Sequence, residues 1–141
     1  MTIRKVGMAL LSSDQLPLRN EHDIVLARQA VRRMTQQLTF SLVDQTKMVT
    51  AASELARNTV VYGGGGVLNW EIHEDGGRKG LRLTFKDEGP GIPNLDLAMT
   101  DGWTSGGGLG MGLSGAKRLV NEFEIDSAPG AGTRVSIVRW K

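Results

Sequence analysis

The chain has no cysteine. That excludes a disulfide framework and any zinc or iron–sulfur site built on thiolates, and it makes a reducing cytoplasm the expected compartment. Long apolar runs are missing too: none approaches the ~20 residues that a membrane-spanning helix needs. The opening MTIRKVGMALLSSD has too short an apolar stretch, and no small-residue cleavage site, for a signal peptide. It reads instead as a first strand over 3–11, closed by the turn cluster Ser12-Ser13-Asp14. Neither sign of charge dominates, since 17 Lys and Arg stand against 15 Asp and Glu for a net +2. With no concentrated basic stripe, nucleic acid is not an expected partner. Glycine is nearly absent from the first half. Only Gly7 precedes Tyr62, and the other 18 of the 19 follow it.

What is present is an ordinary soluble composition, 40% apolar and 23% charged over 141 residues. At ~150 residues per domain this is one domain, 1–141, large enough for a self-sufficient core. Ile24, Ala27, Val31, Met34 and Leu38 recur at helical spacing, with Glu21 and Asp23 where a helix start favours acids. Arg28, Arg32 and Arg33 lie off that stripe, either as a solvated face or as a partner surface. A second helix is expected from Ser41 to Tyr62, opened by the capping box Ser41-Leu-Val-Asp44 and stopped by four glycines at 63–66. Its buried stripe is Met48, Ala52, Leu55 and Thr59, while Glu54 and Asn58 share another face, one turn apart. Strands at 67–74 and 81–86 flank a loop of about six residues. Residues 92–108 have little periodicity, as in a functional lid. A helix from Leu113 to about Asn121 and two paired strands, 122–127 and 133–140, complete the chain.

Three signals bear on chemistry. Gly112 and Gly115 fall within a helical pattern, where each glycine costs ~1 kcal/mol relative to alanine. The run Gly108-Leu109-Gly110-Met111-Gly112 ahead of that helix suits either a flexible turn or a main chain approaching phosphates. It matches neither a Walker P-loop nor a dinucleotide fingerprint, because no Lys-Ser/Thr follows and no strand precedes it. Asp87, ending an apolar strand before Gly-x-Gly, can accept hydrogen bonds from the exocyclic amine of adenine or simply form an Asx turn. Glu54 and Asn58 can supply a proton acceptor and a hard, neutral oxygen ligand for Mg²⁺, or be a plain surface pair.

The order of these signals is more telling than any one of them. Glu54-Leu-Ala-Arg-Asn58, a hairpin, Asp87-Glu-Gly-Pro-Gly91, a lid, the glycine run and Gly132-Thr133 resemble the N, G1 and G2 boxes of the GHKL ATP-binding superfamily. The stretches DIVLARQAVRRM, VDQTKMVTAASELARNT and GLGMGLSGAKRLVNEFEI are similar to the RsbT-like serine/threonine kinases of bacterial partner-switching (stressosome) pathways. The resemblance implies a Bergerat fold, an α/β sandwich with a mixed, mostly antiparallel sheet and helices on one face. It implies Glu54 as general base, Asn58 as ligand to Mg²⁺ on ATP, and Asp87 at the adenine amine with Thr133 assisting. It further implies that Gly89 and Gly91 let the chain pass near the nucleotide, and that Gly108, Leu109, Gly110, Met111, Gly112 and Leu113 wrap the phosphates. Pro90 departs from the usual G1 spacing residue and stiffens that turn. In such kinases the acceptor is a STAS-domain antagonist, and the released kinase docks a PP2C-type phosphatase. With only His22 and His73 available and no room for a helical dimerisation segment, a sensor histidine kinase is not expected. The alternative is an anti-sigma-type module that sequesters its partner in an ATP-dependent way.

Overall fold

The computed structural model describes residues 9–100 and 112–141. In chain order the elements are β1 (Ala9–Leu18), α1 (Glu21–Gln37), α2 (Leu42–Val61), β2 (Gly66–Asp75), β3 (Arg78–Asp87), α3 (Leu95–Ala98), α4 (Gly112–Arg118), β4 (Glu122–Ser127) and β5 (Thr133–Trp140). The strands form one sheet in the order β1-β2-β3-β5-β4. The expected sandwich is present, and all four described pairings are antiparallel.

Side chains alternate across a strand, so register decides what the sheet buries. Leu16, Leu68, Phe85, Val135 and Ile125 line up across all five strands, and Trp70, Leu83, Ile137 and Phe123 form the next row on that face. Both rows belong to one hydrophobic cluster with Ile24, Val31 and Met34 of α1 and Met48, Ala52 and Leu55 of α2. The intervening row, Gln15, Asn69, Thr84, Ser136 and Glu124, is polar and faces away from the helices. The α2 helix is the central rod, packed on β1, β2 and β3 on one side and touching α1 and α4.

The helix ends follow local chemistry. Ser41 caps α2, its hydroxyl accepting the Asp44 N–H at 3.1 Å, and Tyr62 closes it. The return half of the capping box is diverted, because Asp44 Oδ1 accepts from Arg139 Nη2 at 2.6 Å. That bond ties the last strand to the start of the central helix. At α1 the Asn20 side chain accepts from the Asp23 N–H, while Asp23 accepts from both the backbone N–H and Nε of Arg19 at 2.9 Å. The side-chain and backbone hydrogen bonds from Arg19 hold the buried Asp23 carboxyl below its ordinary 3.8. A carboxyl whose folded value is depressed stabilises the fold above its ordinary value and loses that contribution as pH falls through the folded one. Asp23→Asn is therefore expected to be less stable than the parent at neutral pH, with the gap closing below about pH 3.8, as denaturant titrations across pH will show.

Four local expectations are corrected. The Ser12-Ser13-Asp14 cluster is not a turn. β1 runs through it to Leu18, pairing with β2, and Leu11 sits in a bulge between Leu10 and Ser12. As an edge strand it can expose polar side chains, and pairing with β2 overrides their turn preference. The hairpin loop is two residues rather than six. Asp75 pairs with Arg78, and Gly76 and Gly77 both have positive φ, +60° and +87°, the conformation that a type I′ turn demands. The stretch after Pro93 contains the short helix α3, capped by the Asn94 side chain. Finally α4 stops at Arg118, because Asn121 already donates its N–H to the Val138 carbonyl at the start of the β4 pairing. The part of the first predicted strand at 3–8 lies outside the described residues.

Candidate active site

The sheet register brings part of the sequence-predicted set together. Asp87 stands opposite Gly66 on β2 and Thr133 on β5, and the last turns of α2 lie above that end of the sheet. Between them is a cavity of about 280 Å³. Its walls are largely apolar, with Leu55, Phe85, Ile92, Leu113 and Val135, and its polar members include Asn58, Asp87 and Thr133. Of the predicted site residues, Asn58, Asp87, Gly91, Leu113 and Thr133 line this cavity. Glu54 is half-buried on α2, one turn before Asn58, and is not among the lining residues. Gly112 is buried at the start of α4 with φ +72°. Gly108, Leu109, Gly110 and Met111 lie outside the described residues.

The Asp87 carboxylate is held in one orientation. Its Oδ1 accepts the Gly89 N–H at 2.9 Å, so the Asx turn left open by the sequence does form. One oxygen is used to fix the group, and acceptor capacity remains on the other. The glycines here also have a packing reason. A Cβ on Gly63 would overlap the Asp87 carboxyl carbon and lie 2.6 Å from its Oδ2. A Cβ on Gly89 would lie 2.7 Å from the Cα and the carbonyl oxygen of Gly63. Gly91 has φ +77°, and a Cβ there would overlap the Ala128 carbonyl. The resemblance implies clearance for a ligand at Gly89 and Gly91; the main chain of neighbouring segments demands bare backbone there in any case.

Two residues of the site were not picked out from the sequence. Gly63 read only as a helix stop, yet it is the surface against which the Asp87 carboxyl rests. We expect Gly63→Ala to displace that carboxyl and lower nucleotide affinity while the fold survives, which calorimetry paired with a melting curve will test. The second is Ser127 at the end of β4. Its Oγ accepts the Ile92 N–H at 2.8 Å, lies 3.0 Å from the Gly132 carbonyl and 2.8 Å from Thr133 Oγ1. No local pattern reveals it, because its partners meet it only once β4 pairs with β5.

Residues 43–141 match the family described as histidine kinase-, DNA gyrase B-, and HSP90-like ATPase. The chain belongs to this family, whose nucleotide is ATP, and within it to the RsbT-like serine/threonine kinases. It is 47% identical to Serine/threonine-protein kinase RsbT of Bacillus subtilis (strain 168), over 85% of this chain and 90% of that protein. It is 31% identical to the Anti-sigma F factor of Clostridium novyi (strain NT), over 96% of this chain and 93% of that one. Among solved structures, the RsbU and RsbW domains of Rv1364c from Mycobacterium tuberculosis superpose with a TM-score of 0.62 at 19% identity. That match covers 92% of this chain and 32% of the longer one, and it carries the fold alone.

Proposed function

We propose that this kinase transfers the γ-phosphoryl group of ATP to a Ser or Thr hydroxyl of a STAS-domain antagonist in a bacterial partner-switching pathway. In the same reading it works in the cytoplasm as one ATP-binding domain, and once released it docks and activates a PP2C-type phosphatase. The observation that carries the proposal is the meeting of Asn58, Asp87 and Thr133 around one cavity, with Glu54 a turn away on the same helix.

The residues fit an adenine nucleotide. Leu55, Phe85, Ile92 and Val135 suit the faces of a purine, and Asp87 provides an acceptor at the cavity's polar end. An amino group at the purine 6-position donates to such an acceptor, where a guanine would present a carbonyl. Asn58 has the side chain for Mg²⁺, which binds through one or two protein oxygens and substrate phosphates and supplies charge neutralisation. Residues 108–112 are the proposed phosphate wrap. Glu54 would accept the proton of the incoming hydroxyl as attack begins, leaving the oxygen free to bond to phosphorus. The exposed arginines of α1, Arg28, Arg32 and Arg33, offer a basic face to a protein partner.

Intact-mass analysis after incubation with Mg-ATP and the STAS proteins of the same host tests the proposal. A gain of one phosphate on a STAS protein supports it, and unmodified STAS proteins in the presence of bound ATP overturn it. The likeness to an anti-sigma F factor favours a second reading, in which ATP-dependent sequestration of a partner is the main act. Sequestration would survive loss of the Glu54 carboxyl, and phosphotransfer would not.

A further inference from the structure

The polar end of the cavity has a fixed hydrogen-bond polarity, and it follows from counting protons at Ser127. Three contacts converge on Ser127 Oγ: the Ile92 N–H at 2.8 Å, the Gly132 carbonyl at 3.0 Å and Thr133 Oγ1 at 2.8 Å. A serine hydroxyl has one proton to give and two lone pairs to accept with. The Ile92 amide can only donate, and the Gly132 carbonyl can only accept. One lone pair of Ser127 is therefore taken by Ile92, and its proton goes to Gly132. The remaining contact is a hydrogen bond only if Thr133 donates to the second lone pair. The opposite assignment, Ser127 donating to Thr133, would leave two bare oxygens facing each other 3.0 Å apart.

We propose that Ser127 is a positioning residue for base selection, which takes the Thr133 proton and so presents Thr133 to the ligand as an acceptor only. The inference rests on the reading that a purine binds at Asp87. Asp87 is an acceptor as well, with one oxygen already committed to Gly89. Two acceptors side by side, on residues paired across β3 and β5, complement a group with two N–H bonds. The exocyclic amine of adenine is such a group. A carbonyl at the same place would face two lone-pair donors and no proton.

The test compares ATP with inosine triphosphate, which has a carbonyl in place of the amine, by calorimetry on the full chain. In Ser127→Ala the Thr133 hydroxyl is free to turn its proton into the cavity, so the preference for ATP over inosine triphosphate is expected to narrow about tenfold, roughly the worth of one hydrogen bond changing sense. Ser127→Thr, which restores the hydroxyl, should restore the parent ratio. A role confined to packing would weaken both nucleotides in proportion, and an unchanged ratio in Ser127→Ala overturns the proposal. If that variant does not fold, Thr133→Val decides instead. Loss of ATP affinity with inosine triphosphate unaffected or strengthened supports an acceptor-only Thr133, while an equal or larger loss for inosine triphosphate refutes it. Asp87→Asn is the control on the underlying reading. If it leaves ATP binding intact, the purine is not at Asp87; if it weakens ATP while the Ser127 ratio holds, only the present inference fails.

Discussion

Glu54→Ala is expected to lower phosphotransfer to a protein hydroxyl by about 10²–10⁴-fold, the range that a positioned general base contributes. The dissociation constant for ATP is expected to change little. The asymmetry follows from where the residue stands. Glu54 lies one turn before Asn58 on α2 and outside the set that lines the apolar cavity, so in the proposed reading it acts on the incoming hydroxyl and not on the purine. Calorimetry with ATP, together with intact-mass detection of a phosphorylated partner, reads both halves of the prediction. A variant that still phosphorylates its partner at the parent rate would remove Glu54 from catalysis. Because the residue is half-buried on the central helix, Glu54→Gln is the companion variant: it keeps the shape, removes the basicity, and is expected to be as inactive.

Asp87→Asn is expected to weaken ATP binding by about 10- to 150-fold, the roughly 1.5–3 kcal/mol that a hydrogen bond to a charged group is worth. The direction is set by the Gly89 N–H, which donates to Asp87 Oδ1 at 2.9 Å. An asparagine must keep its oxygen there, and so turns its NH₂ toward the ligand. A donor then meets the donor that the carboxylate used to accept. The substitution is nearly isosteric beside Gly63, so the melting temperature is expected to stay close to that of the parent. Unchanged ATP affinity would place the adenine elsewhere.

Much of this site is legible in the chain because its parts are local. Ser41 and Tyr62 bound α2 where capping chemistry puts them, and that alone sets Glu54 and Asn58 on one face. Asp87 is found because a strand pattern ends there. What escapes a linear reading depends on partners far away along the chain. The glycines and charged residues from Asp75 to Gly80 look like a loop, but pairing across β2 and β3 extends both strands to Asp75 and Arg78. Ser12-Ser13-Asp14 looks like a turn until β2 lies beside it. Gly63 and Ser127 have no distinguishing neighbours in sequence; one is defined by a carboxyl 24 positions on and the other by an amide 35 positions back.

The crossing of bare main chains at Gly63, Gly89 and Gly91 also limits how this pocket can drift. A compound competing with the nucleotide would rest there on backbone and on the Asp87 carboxylate, which the proposed reading assigns to the purine. Resistance mutations would have few places to arise: an added side chain at those glycines would overlap the neighbouring segment before it touched the drug. Of the aliphatic walls, Leu55 and Val135 are themselves buried in the core, where a change in volume is costly, so escape would fall chiefly on the half-buried Ile92.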